Sequence, residues 1–128
     1  MNLTAIRIKC AEIVGWKFVE NPVTRIGGYW ETGTPGRVGY KRGDWGSKEL
    51  GIDLPDYPES ADAALELVEW MSKPENGGWT VVIDNNTRYW TVFIHSCGRK
   101  NHSDFSNTFP LAVCLAFLRA NNIDPETL

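Results

Sequence analysis

Leu111 to Leu118 is an unbroken apolar run, Leu-Ala-Val-Cys-Leu-Ala-Phe-Leu. Thr108 stands ahead of it as a helix cap, and Pro110 falls in the first turn, where its missing N–H costs nothing. The run therefore reads as a helix from about Phe109 to Ala120. A helix that is apolar nearly all round has to be buried nearly all round, so the rest of the chain must supply elements to surround it. At 128 residues and 42% hydrophobic content, the chain is large enough to do so as one domain over 1–128. No apolar run reaches the roughly 18–20 residues of a membrane-spanning helix. Arg7, Lys9 and Glu12 interrupt the apolar N-terminal stretch, which argues against a secretory signal and predicts a cytoplasmic protein with no membrane partner.

The surrounding elements are legible from periodicity. Leu3, Ile6, Cys10, Ile13 and Val14 fall on one helical face, with Asn2 as cap and Gly15 as the left-handed stop. Trp16–Val19 and Gly28–Glu31 read as short strands. A second helix runs from about Ala61 to Met71 behind Ser60, with Ala61, Ala64, Leu65, Val68 and Met71 inward. Trp79–Ile83, the turn Asp84–Thr87 and Arg88–His95 form a β-hairpin. Its second strand is apolar on both faces, which predicts a sheet covered on both sides. Ser96–Asn107 reads as a polar loop, and the tail through Pro125 as frayed. Helices alternating with antiparallel strands predict an α+β fold, a small antiparallel sheet with helices packed on it. Cys10, Cys97 and Cys114 are odd in number and widely spaced, so no disulfide framework is expected, and Cys10 and Cys114 read as small buried hydrophobes.

Thr32–Leu54 has no periodicity. It holds Gly33, Gly36, Gly39, Gly43, Gly46 and Gly51, and reads as a long loop inserted into the domain. Loops of that length are usually functional or disordered. Net charge is −3 overall, but Asn21–Lys48 carries five cations against two acids and Asp56–Glu75 six acids against one cation. The first segment contains Arg37, Tyr40, Arg42 and Trp45. Trp45 can stack on a ring, and Arg37 and Arg42 can hold a phosphate or carboxylate in bidentate fashion. These four residues are the candidate ligand site. The second segment is an acidic helix exposing Asp62, Glu66 and Glu69, which can meet a basic patch on a protein.

Catalytic and metal chemistry find little support. His95, Cys97, His102 and Asp104 lie close in sequence, but His-x-Cys-x4-His is not a standard zinc arrangement, and the set falls largely on a loop. Cys97 with His102 lacks an oxyanion hole or orienting third member, and Ser96 or Ser103 with His102 and Asp104 is weaker still, because such triads are usually assembled from distant parts of a chain. The glycine-rich stretch lacks the Gly-Lys-Ser/Thr ending of a phosphate loop. No catalytic residue, metal or cofactor is therefore expected, and the net acidity argues against direct nucleic-acid binding.

Three stretches carry a resemblance: Ile13-Val14-Gly15-Trp16 at the first helix end, Leu54-Pro55-Asp56-Tyr57 leading to Ala63-Ala64, and Thr108 to Ala116. Together they resemble the phage ABA sandwich domain family over about Ile6–Ala120, with Thr32–Leu50 as an addition to the family's core. The resemblance implies an α/β/α layered fold and a viral origin, and brings no catalytic residues. It implies a non-enzymatic binding protein acting in the host cytoplasm, with a counter-defence role. One expectation is sequestration of a small host signal such as a nucleotide second messenger; the alternative is a protein-binding inhibitor of a host enzyme or defence factor. A homo-oligomer is open in either case.

Overall fold

The computed structural model describes residues 1–128. The chain forms two compact units, Asn2–Pro55 and Asp56–Leu128, the latter grouped with Met1. The fold class is α+β, as read from the sequence, and the strands pair antiparallel in two three-stranded sheets.

In the Asn2–Pro55 unit, α1 spans Leu3–Val14. Asn2 caps it by accepting the Ala5 N–H at 3.0 Å. Gly15, at φ 113°, turns into the left-handed region and donates its N–H to the last-turn carbonyls. Ile6, Cys10 and Ala11 are buried. Strands β1 (Lys17–Glu20), β2 (Gly28–Thr32) and β3 (Lys41–Arg42) follow in that spatial order.

Strand β3 lies inside the stretch expected to be an irregular loop. It pairs Lys41 with Thr32 and Arg42 with Glu31. The strand is two cationic residues long, so apolar alternation gives no sign of it. Farther along, Gly28 and Gly46 exchange backbone hydrogen bonds of 2.9 and 2.8 Å, and Leu54 is buried. The loop's far end is tied to α1. The Arg7 guanidinium donates to the Ile52 carbonyl at 2.9 Å, to that of Pro55 at 3.2 Å, and to Leu54 between them. The stretch 32–54 is thus structured, and it contributes to its unit's interior.

In the Asp56–Leu128 unit, α2 spans Ala61–Ser72, with the Ser60 hydroxyl accepting the Ala63 N–H at 3.3 Å. Its buried stripe is Ala63, Ala64, Leu67 and Met71, rotated from the expected one. Leu65 lies about 200° round the helix from Leu67, and it is exposed. Strands β4 (Thr80–Asn85), β5 (Trp90–His95) and β6 (His102–Ser106) form the second sheet. Strand β6 replaces the polar loop expected there. Its side chains are polar on both faces apart from Phe105, so no alternation marks it, and Asp104 is held by the Arg119 guanidinium at 2.5 Å.

Helix α3 (Phe109–Ala120) packs on β5, β6 and α2, and every residue from Ala112 to Leu118 is buried. Trp70 meets Phe117 edge-on at 5.8 Å, and Trp90 meets Phe109 at 5.5 Å. Thr108 occupies the cap position without a side-chain bond. The tail is ordered rather than frayed: Asp124 accepts the Glu126 N–H at 3.0 Å, starting a short 3-10 turn with Pro125 buried. The expectation of a sheet covered on both sides does not hold. Val92 and Ile94 are buried, while Val82, Tyr89, Phe93 and Phe105 on the opposite face are exposed. Aromatic side chains on both faces of a strand need not signal burial on both.

Candidate functional site

The two faces of β2 set out the site. Gly28 and Trp30 project to one side, Tyr29 and Glu31 to the other. On the first side, Phe18 stands across from Trp30 in register, with the rings edge-on at 5.5 Å. Trp30 is buried, and its indole N–H has no hydrogen-bond partner, an uncommon state for a buried donor. Gly28 admits no larger residue. A Cβ there would stand 2.0 Å from the Val19 carbonyl oxygen and 2.8 Å from the Phe18 ring.

On the second side, Glu31 is buried and receives the Tyr40 hydroxyl at 2.7 Å, with the Lys17 ammonium at 3.7 Å. The hydrogen bond to Glu31, then burial and the carboxylate's charge, hold the Tyr40 phenol above its ordinary 10.0. The Arg42 guanidinium lies over the Tyr29 ring, 4.2 Å from its centroid.

Trp45 joins the two sides. Its ring meets Tyr29 at 6.0 Å, and it also walls a cavity of about 190 Å³ with Phe18, Trp30, Leu50 and Ile52. Trp45 remains 53% exposed, so it forms the cavity's outer wall rather than its floor. Asp44, Ser47 and Asp53 supply the polar lining. The cavity lies below the roughly 300–1,000 Å³ of pockets that enclose a drug-sized ligand. It has room for one ring system. Two carboxylates in its lining favour ring N–H donors inside and keep a phosphate out.

Of the expected ligand residues, Arg42 and Trp45 come together on Tyr29. Tyr40 is committed to Glu31. Arg37 is exposed on the turn closed by its own N–H to the Thr34 carbonyl at 3.0 Å, and it lines no part of the cavity. Sequence reasoning missed Phe18, Trp30 and the carboxylates of Asp44 and Asp53. Cross-strand register was the only signal for the first two, and nothing local marked the carboxylates. Asp62, Glu66 and Glu69 are all exposed on α2, as expected of the alternative site.

The residues weighed for metal or nucleophilic chemistry do not converge. Strand alternation sends His95 to the exposed face, whereas His102, paired with Ile94, faces the other way against Trp79 at 5.9 Å. Burial, then the charge of Lys100, lowers the His102 pKa. Asp104 is engaged by Arg119, and Cys97 is exposed. No three His, Cys, Asp or Glu side chains are grouped as a metal site would require. No helix is long and apolar enough to cross a membrane.

No curated protein sequence and no solved structure is a significant match to this chain. A family model does match, over residues 11–118, from within α1 to within α3 and through the strands of both units. With most of its length so matched, the chain belongs to the phage ABA sandwich domain family.

Proposed function

We propose that this chain is a non-enzymatic, phage-encoded binding protein that acts against host defence by sequestering a small signal in the host cytoplasm, with a nucleotide second messenger as the ligand class. The observation that carries the reading is the placement of Trp45. It walls an aromatic cavity on one side and meets Tyr29, which bears Arg42, on the other. A nucleobase seated beside Trp45 would present its N–H groups to Asp44 and Asp53. Its phosphates would stay outside, within the field of Arg42 on the Tyr29 side. That division refines the expectation from sequence, because base and phosphate are read by different faces of the sheet. Membership of a phage domain family supports the viral setting.

The test is calorimetry with adenine- and guanine-containing cyclic dinucleotides and the corresponding nucleosides. Binding of at least one dinucleotide is expected, weakened about tenfold or more by Trp45→Ala. Arg42→Ala should weaken the dinucleotide and spare the nucleoside. Absence of binding by every probe would remove the reading.

A second reading rests on the exposed acidic stripe of α2. Asp62, Glu66 and Glu69 lie three and four residues apart on one helical face, and such a stripe suits a basic protein surface. Capture of a host protein that is lost on Glu66→Lys with Glu69→Lys, and unaffected by Trp45→Ala, would favour it.

A further inference from the structure

The cavity beside Trp45 is walled by rings, and the side chains around it bring hydrogen-bonding groups of two kinds. Asp44 and Asp53 offer carboxylate oxygens, which accept. The Ser47 hydroxyl, also in the lining, is spent on Glu49 at 2.6 Å. The Trp30 indole N–H is of the other kind, a donor. Trp30 is 3% exposed, and this N–H has no partner. Such a buried donor is uncommon in a folded chain, and here it belongs to a ring that lines a cavity. Gly43 ties the two kinds of group together. Its N–H donates to the Trp30 carbonyl at 2.9 Å. Its bare Cα lets Asp53 close in, for a Cβ there would stand 2.4 Å from the Asp53 Cβ and 3.2 Å from a carboxylate oxygen.

We propose that the base this cavity takes is guanine, read by Asp53 and Trp30. The proposal rests on the reading of the cavity as a nucleobase site and adds the identity of the base. On its pairing edge guanine presents a carbonyl oxygen, O6, beside two donors, the N1–H and the 2-amino group. The Asp53 carboxylate accepts both donors in bidentate fashion. O6 accepts from the Trp30 indole, which gives the unpartnered N–H its acceptor. Adenine presents one amino group beside a ring nitrogen that accepts. Against the same carboxylate, that nitrogen sets lone pair against lone pair, and one hydrogen bond is missing. A site built around buried polar groups rejects a ring that leaves them unpaired far more strongly than one that merely fits less well. The rings of Phe18 and Trp45 contact either base alike, so they add affinity without choosing between them.

Calorimetry of the full chain with guanosine, inosine and adenosine tests the proposal, with the cyclic dinucleotides of guanine and of adenine alongside. Guanosine should bind about tenfold or more tighter than adenosine, with inosine, which lacks the 2-amino group, between them. Asp53→Asn exchanges a pair of acceptors for one acceptor and one donor, the pattern that matches adenine, so the order should invert. Asp53 is exposed, so that variant should fold like the parent. Asp44→Asn should keep guanosine ahead. In the parent, the indole N–H resonance that Trp30→Phe deletes should move downfield with guanosine and stay in place with adenosine. Adenosine binding as tightly as guanosine overturns the proposal and leaves the nucleobase reading standing. So does an Asp53→Asn variant that still prefers guanosine, or a Trp30 resonance that guanosine does not move. Absence of binding by every nucleoside and dinucleotide removes the nucleobase reading itself, and this proposal with it.

Discussion

Each unit contains a three-stranded antiparallel sheet, but the two sheets are buried by different means. In Asp56–Leu128 one face of β4–β5–β6 is sealed by a regular element, α3, whose residues from Ala112 to Leu118 are all buried. In Asn2–Pro55 the Trp30 side of the sheet meets irregular chain, from Asp44 to Asp53, and a cavity remains between them. A helix can present a continuous apolar surface at close-packed density. A glycine-rich loop presents isolated side chains joined by backbone, which leaves gaps that are open to a ligand. The comparison teaches that a cavity opens in this chain where packing is left to the loop.

The sharpest test of that contrast is Phe117→Ala. Phe117 is fully buried under Trp70, and emptying its site should destabilise the chain by about 3–5 kcal/mol. Chemical denaturation measures it. A midpoint near the parent's would show that α3 does not carry the core of its unit.

Next is Gly28→Ala, which strikes the loop-packed unit through its backbone. The added methyl meets the Val19 carbonyl oxygen at 2.0 Å, and a carbonyl held in a strand ladder cannot move aside as a flexible side chain can. The expected loss is about 1–3 kcal/mol. Because Gly28 also lines the cavity, dinucleotide affinity should fall in the same variant. Full stability with unaltered binding would mean that β1 and β2 do not pair in this register.

Replacing Arg42 and Trp45 together by alanine removes the cation–π contact and the ring contact to Tyr29. Both partners are exposed, so the expected destabilisation is only about 1–2 kcal/mol, while ligand retention should be lost. A variant that melts near the parent and still retains ligand would show that the wall of the cavity is passive. One that unfolds outright would place Trp45 in the core and erase the contrast with Phe117.

How much of this was legible in the sequence follows from the same contrast. The helix Phe109–Ala120 is found at its expected bounds because an all-apolar run behind a proline has few other structures available. Strands β3 and β6 escaped notice because Lys41–Arg42 is two charged residues long and His102–Ser106 is polar apart from Phe105, so neither shows apolar alternation. The rotation of α2 escaped because the sequence offers Leu65 and Leu67 as equal candidates, and only the neighbouring α3 decides between them. Arg42 and Trp45 were identifiable as residue types suited to a site. Phe18, Trp30, Asp44 and Asp53 became part of that site only when β1, β2 and the loop were brought together.

The smallest effect concerns Tyr40, whose hydroxyl fastens β3 to the buried Glu31. The donating phenol is neutral, and its hydrogen bond to Glu31 raises the folded-state pKa above 10.0. The contribution of this contact is therefore complete below pH 10, and it is lost as pH rises through the folded value. Alkaline titration followed by phenolate absorbance should show a Tyr40 step above the ordinary range. Tyr40→Phe should delete that late step, with only a slight change in the neutral-pH melt. Glu31→Gln should bring the step back toward the ordinary value, because the charge that opposes ionisation is gone. If Tyr40→Phe removes no late step, the Tyr40 hydroxyl does not hold the buried Glu31. If Tyr40→Phe also abolishes ligand retention, the hydroxyl's hold on β3 is what positions Trp45, and the loop-packed unit is more tightly coupled than its open cavity implies.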